Sequence, residues 1–139
     1  METNPSPGTK PSIIVRQSEH SRLTSLALAA SSRSLDVADE LLAELERASV
    51  VIDDNFPADV VGIGSTVSYE TDNGQTRTVT LCYPAEADIE RSMVSVMTPI
   101  GVALLGLSPG QSINWSARDG HIHRLTVTSV EAITPFRAA

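Results

Sequence analysis

The stretch "VSVMTPIGVALLGLSPGQSINW", Val94–Trp115, decides how the rest of the chain is read. It opens as a strand, turns at Thr98-Pro99, and runs through apolar or small residues to Gly106. Pro99 suits the first position of a helix, where its missing N–H would have had no partner. Gly106 supplies the left-handed stop. A further turn at Ser108-Pro109-Gly110 leads into the strand "QSINW", Gln111–Trp115. No nucleophile, paired carboxylate or metal-ligand spacing lies in this unit. It either seals one side of a sheet or presents a small apolar corner to a protein partner.

Around it the hydrophobic period is 2. "STVSYE" (Ser65–Glu70) alternates and ends at Asn73-Gly74, a strong hairpin signal. "QTRTVTLCY" (Gln75–Tyr83), "SMVSVM" (Ser92–Met97) and "HIHRLTVTSVEAI" (His121–Ile133) complete a set of five strands with "QSINW", and Arg118-Asp119-Gly120 forms the last turn. Upstream of Val60 the period is 3.6. Ser18 stands as an N-cap with Glu19 in the first turn, and Leu23, Leu26, Ala27 and Ala30 form one stripe. After "SSRS" (Ser31–Ser34) a second helix carries Val37, Leu41, Leu45 and Ala48 on one face, with Leu42 beside it. Its other face holds Asp39, Glu40, Glu44, Glu46 and Arg47. A connection this short makes the two helices antiparallel, a hairpin on the order of 22 Å long at about 1.5 Å per residue.

The fold class expected is therefore α+β: a short helical hairpin followed by a mainly antiparallel sheet with one short helix. The organisation reads as a disordered leader over 1–11, an extended segment ("SIIV") and hairpin over 12–50, a linker over 51–59, and the sheet domain over 60–135. At 139 residues with 41% hydrophobic and 19% charged residues, the chain supports one compact core. Aromatics are 4%, so that core is aliphatic. A single cysteine and no apolar run of membrane length agree with a cytoplasmic protein.

Between Asp36 and Val60 lie eight acids and one base, Arg47, so this segment alone accounts for the net charge of −7. Phosphate contacts need clustered Lys and Arg, so nucleic acid is met only indirectly. The acids read as a solvated face or as a lure for a basic protein surface. Chemistry finds no support. His121 and His123 share a strand face, but zinc needs three or four ligands, and His20 and Cys82 are remote in sequence. "GIGS" (Gly62–Ser65) precedes a strand where a nucleotide loop needs a helix. Cys82 reads as a core residue. No cofactor, metal or catalytic residue is implied.

At these residues the chain resembles the Gre-type transcript cleavage factors. "TPIGVALLGLSPGQSINW" is similar to their C-terminal signature. "PSIIV", "ADELLAELERA" (Ala38–Ala48), "DVVGIGSTVSYETDNGQTRTVTLCYPAEA" (Asp59–Ala87) and the run from Val94 to Trp115 resemble more closely the Rnk-type regulators of nucleoside diphosphate kinase, over roughly 11–133. The resemblance implies an N-terminal coiled coil and an FKBP-like C-terminal domain. It also implies a partner, bacterial RNA polymerase, gripped at the rim of its secondary channel by Thr98, Pro99, Ile100, Gly101 and Leu104. Gre-type arms are far longer and end in paired acids, whereas the tip here is "SSRSLD", with Asp36 its sole acid and Arg33 opposing it. Asp36, Asp39, Glu40 and Glu44 then form an electrostatic arm without transcript cleavage. Two rivals remain: a peptidyl-prolyl isomerase, disfavoured by so few aromatics, and an adaptor acting through the acidic hairpin.

Overall fold

The structure, a computed structural model, describes residues 11–31, 36–116 and 120–131. The expected leader before Pro11, the hairpin tip with Arg33, the Arg118-Asp119 turn residues and the chain after Glu131 lie outside the described residues.

Alternation in the sequence becomes five strands: β3 (Thr66–Thr71), β4 (Thr76–Cys82), β5 (Met93–Ser95), β6 (Ser112–Ser116) and β7 (Ile122–Glu131), in the order β5-β4-β3-β7-β6. All neighbours are antiparallel except β4 and β5, which are parallel. The Asn73-Gly74 signal turns β3 into β4, with Gly74 at φ 85° and its N–H donating to Thr71 O at 2.9 Å. Val67, Tyr69, Leu81, Ile113, Leu125 and Val127 are buried on one face. The other face is a hydroxyl lattice: Thr66 meets Thr80 at 3.0 Å, Ser68 meets Thr78 at 2.9 Å, and Ser112 meets Thr126 at 2.6 Å. Period 2 thus gives the sheet one dry and one wet side.

The dry side shares one core with α3 (Pro99–Leu104), which packs on β6, and with a hairpin of α1 (Gln17–Ser31) and α2 (Asp36–Arg47), whose second helix packs on α3. Leu23, Ala27 and Ala30 of α1 are buried as the stripe required, with Leu26 half-buried. In α2 the buried face centres on Ala38, Leu41 and Leu45, with Val37 and Leu42 at its margins. His20 Nε2 lies 3.0 Å from Leu45 O and ties the two helices together.

Three readings change. The apolar "SIIV" segment forms β1 (Ile14–Arg16), which pairs in parallel with an unforeseen strand, β2 (Ser49–Val51), at the root of the hairpin. Ser18 lies inside α1, and its N–H donates to Asp53 Oδ1 at 3.0 Å. The cap therefore comes from the stretch read as a linker. That stretch also places the Phe56 ring 4.4 Å from the Arg16 guanidinium. Glu44, expected on the charged face, is only 2% exposed. It points inward and bonds the Arg47 guanidinium at 2.7 and 3.0 Å, because the base one turn away offsets its desolvation.

Gly106 holds the junction together. Its N–H donates to Val61 O at 2.9 Å, and its own carbonyl accepts from Ile14 N at 3.2 Å. Its φ is +81°, and a Cβ there would sit 2.7 Å from Ile13 Cβ.

Candidate docking site

The first turn of α3 is built from inside outward. Thr98 is extended and caps the helix, its Oγ1 accepting from Gly101 N–H at 3.0 Å while donating to Ser95 O at 2.7 Å. Ser95 Oγ accepts from Met97 N–H at 2.9 Å, which fixes the bend leading in. Pro99 occupies the first helical position as its chemistry requires. The corner is thus held by hydrogen bonds at both sides.

The five corner residues separate into two kinds. Thr98, Pro99 and Ile100 are half-buried and reach the surface. Leu104 is 0% exposed, so its side chain belongs to the core and cannot touch a partner. Gly101 is buried as well, and its backbone lies so close to β5 that a Cβ would stand 2.1 Å from Ser95 O. Its requirement is close packing. The signature residues at these two positions build the corner, and the three before them display it.

Consecutive residues of that turn border different depressions. Pro99 borders one of about 210 Å³ between α2, α3 and β6, with Glu40 and Glu44 on its margin and Ile122, 69% exposed, at its mouth. Ile100 borders another of about 360 Å³ at the open end of the sheet's dry face, with Tyr69, Arg77 and His123. Trp115 lines both. Its ring lies 5.5 Å from the His123 ring, and His123 Nδ1 is 3.8 Å from Asp72 Oδ1. His123 is therefore half-buried, and His121 is exposed just before β7, so they do not form the exposed strand pair that the sequence suggested. Sequence reasoning missed Trp115, Tyr69 and Arg77 as site residues. Their period-2 positions on β6, β3 and β4 were the available signal.

Of the acidic arm, Asp36, Asp39 and Glu40 are exposed on α2, whereas Glu44 is buried beside the first depression. Two other carboxylates act at the root of the hairpin. Glu19, also buried, accepts from Ile63 N–H at 3.2 Å and lies 3.6 Å from Arg16 Nε; burial raises its pKa against both contacts. Asp53 is held below its usual value by hydrogen bonding from Ser18. Burial, with Glu86 as a lesser cause, pushes the Cys82 thiol up, away from reactivity. No cluster of three or more His, Cys, Asp or Glu able to hold a metal occurs among the described residues, and none of the described helices is long and apolar enough to cross a membrane.

A sheet closed by a capped proline-led helix, with a helical hairpin before it, defines a class of proteins that other chains share. Residues 56–132 match the family described as transcription elongation factor, GreA/GreB, C-term, and the chain belongs to that family. Residues 11–51 match the Rnk N-terminus. The regulator of nucleoside diphosphate kinase of Escherichia coli (strain K12) is 36% identical over 124 residues, covering 88% of this chain and 91% of that one. Transcription elongation factor GreA of Desulfovibrio desulfuricans is 36% identical over 74 residues, 52% of this chain and 46% of that one. Among solved structures, a prokaryotic transcription elongation factor GreA/GreB from Nitrosomonas europaea superposes with a TM-score of 0.69 at 33% identity, covering 88% of this chain and 99% of that one. These relatives are regulators or elongation factors, and no catalytic family is indicated.

Proposed function

We propose that this protein is a non-catalytic regulator that docks on bacterial RNA polymerase at the rim of the secondary channel and influences elongation without cleaving transcripts. The observation that supports this reading is the Thr98–Ile100 turn, braced by Ser95 and Gly101 and half-buried at the surface of a chain of the GreA/GreB family. The sheet region then serves as an FKBP-like docking module and the hairpin as a short coiled coil beside it.

Cleavage needs a carboxylate pair carried to a catalytic magnesium. Helices of 15 and 12 residues extend only on the order of 22 Å. The tip sequence "SSRSLD" has one acid, and Glu44 is committed to Arg47. The arm therefore supplies charge and shape, and the polymerase supplies the chemistry.

The test is retention of the full chain on immobilised core polymerase, with displacement by excess Gre-type factor, beside a cleavage assay on backtracked complexes. Retention with displacement and no added RNA cleavage is expected. No retention, or robust cleavage, refutes the assignment.

A further inference from the structure

The backbone of β2 is paired on one side only. Its neighbour is β1, and no strand lies beyond it among the described residues. The Ser49 N–H donates to Ile13 O at 2.9 Å. In a parallel ladder alternate residues turn their N–H and C=O toward the neighbour, so Ser49 and Val51 face β1 and the N–H and C=O of Val50 face outward. Open edges in proteins are usually blunted by a lysine, a proline or a bulge. This one carries Val50, 46% exposed, and then Ile52, 54% exposed and extended at φ −65°, ψ 153°. Period 2 puts both side chains on one face.

We infer that the open edge of β2 pairs antiparallel with the same edge of a second copy, with the twofold axis at Val50. The N–H of each Val50 then donates to the C=O of the other, which satisfies both groups in one isologous contact. The register follows by counting outward from the axis. Ile52 of one copy comes opposite Ala48 of the other, apolar against apolar. One step further, Arg47 comes opposite Asp53, and symmetry repeats the pair. Both residues are exposed, and they bound the extended stretch, since α2 ends at Arg47 and a 3-10 turn begins at Asp53. Arg47 makes three N–H bonds, two to Glu44 and one to the Pro11 carbonyl, of the five that a guanidinium can donate. The charges around β2 are therefore self-complementary in the antiparallel arrangement, whereas a parallel one would set Arg47 against Arg47. Glu46 and Asp54 lie beyond the extended stretch, and their like charge opposes any longer pairing. An edge this short makes a weak, concentration-dependent dimer. No residue of the α3 corner takes part, so the dimer is independent of the docking proposed above.

Sedimentation of the full chain is measured over a range of concentrations for wild type, Val50→Pro and Val50→Lys, with circular dichroism as the check on folding. Proline removes the outward N–H and leaves the ladder to β1, which Ser49 and Val51 supply. Lysine keeps the backbone and sets two cations on the axis. Wild type should dimerise with rising concentration, and each variant should raise the dimer Kd about ten-fold or more. The register has a separate test. Val50→Cys and Ile52→Cys replace residues of similar exposure, and the native Cys82 is buried. Across an antiparallel hydrogen-bonded pair the Cα atoms stand about 5.5 Å apart, within disulfide reach, whereas the two copies of residue 52 are offset by about four positions. Mild oxidation with diamide should link Val50→Cys into a dimer and leave Ile52→Cys largely unlinked.

A chain that stays monomeric at every concentration overturns the pairing. So does a dimer that Val50→Lys leaves intact, because the contact would then lie elsewhere. Equal linking of the two cysteine variants breaks the register and overturns it too. If the chain is monomeric while Val50→Lys weakens retention on core polymerase, the polymerase covers this edge and the second copy is excluded.

Discussion

The hydroxyl of Thr98 donates to the Ser95 carbonyl at 2.7 Å while accepting the Gly101 amide at 3.0 Å. One side chain thus joins the end of the β5 segment to the start of α3. Thr98→Val keeps the volume and removes both bonds. Loss of such a cap costs about 1 kcal/mol. Thermal melts should therefore show a clear drop for Thr98→Val and much less for Thr98→Ser. Equal melts for wild type and Thr98→Val would leave the corner held by something other than its cap.

Gly106 and Gly110 both have positive φ, at 81° and 90°, but only Gly106 is crowded. At Gly110 a Cβ meets nothing within 4 Å, whereas at Gly106 it meets Ile13 Cβ at 2.7 Å. Alanine at either position incurs the left-handed backbone penalty of about 1 kcal/mol. At Gly106, overpacking of about 1–3 kcal/mol adds to it. Urea denaturation should place Gly106→Ala well below Gly110→Ala. Similar midpoints for the two would mean that β1 yields freely at its contact with this glycine.

Glu19 gives the pH dependence a definite sign. Its carboxyl pKa is raised in the folded chain, chiefly by burial, so folding favours the protonated form. The associated stability is fully present below the unfolded carboxylate pKa and is lost as pH rises through the folded one. Glu19→Gln retains an oxygen for the Ile63 N–H and removes the charge. The variant should be at least as stable as wild type at neutral pH, with its advantage shrinking on acidification. A variant less stable than wild type at pH 7 would show that the Arg16 contact outweighs desolvation.

The elements legible in the sequence were those whose period was complete within one segment. The strands of the sheet, the Asn73-Gly74 turn, the α1 stripe and the Pro99–Gly106 helix with its stop all follow from local chemistry. What stayed hidden depends on partners far along the chain. β2 forms only because β1 lies beside it, and Ser18 finds its acceptor 35 residues away in Asp53. Glu44 reads as a surface acid by composition and becomes interior because Arg47 sits one turn on. At the site, the corner was visible as a motif, but its division into displayed and buried residues required the sheet beneath it. Arg77 and Trp115 are distant in sequence and share a hollow only through strand order.

The burial of Glu44 divides the acidic arm into two experiments. Asp39 and Glu40 are exposed, so neutralising both should act on encounter with a basic surface. Exposed charges act through solvent and are screened over a Debye length of about 8 Å at physiological salt. Asp39→Asn/Glu40→Gln should therefore slow association with core polymerase at low salt and flatten the dependence of the rate on salt, with dissociation less affected. Glu44→Ala should act elsewhere. It leaves Arg47 without its carboxylate and opens space behind α2, costing stability by about 1–3 kcal/mol. Stopped-flow rates at several salt concentrations, run beside urea denaturation of the same variants, separate the two effects. An unchanged salt slope in the double variant would reduce the exposed acids to a solvated face. An undiminished midpoint for Glu44→Ala would show that the buried carboxylate costs as much to desolvate as its contacts return.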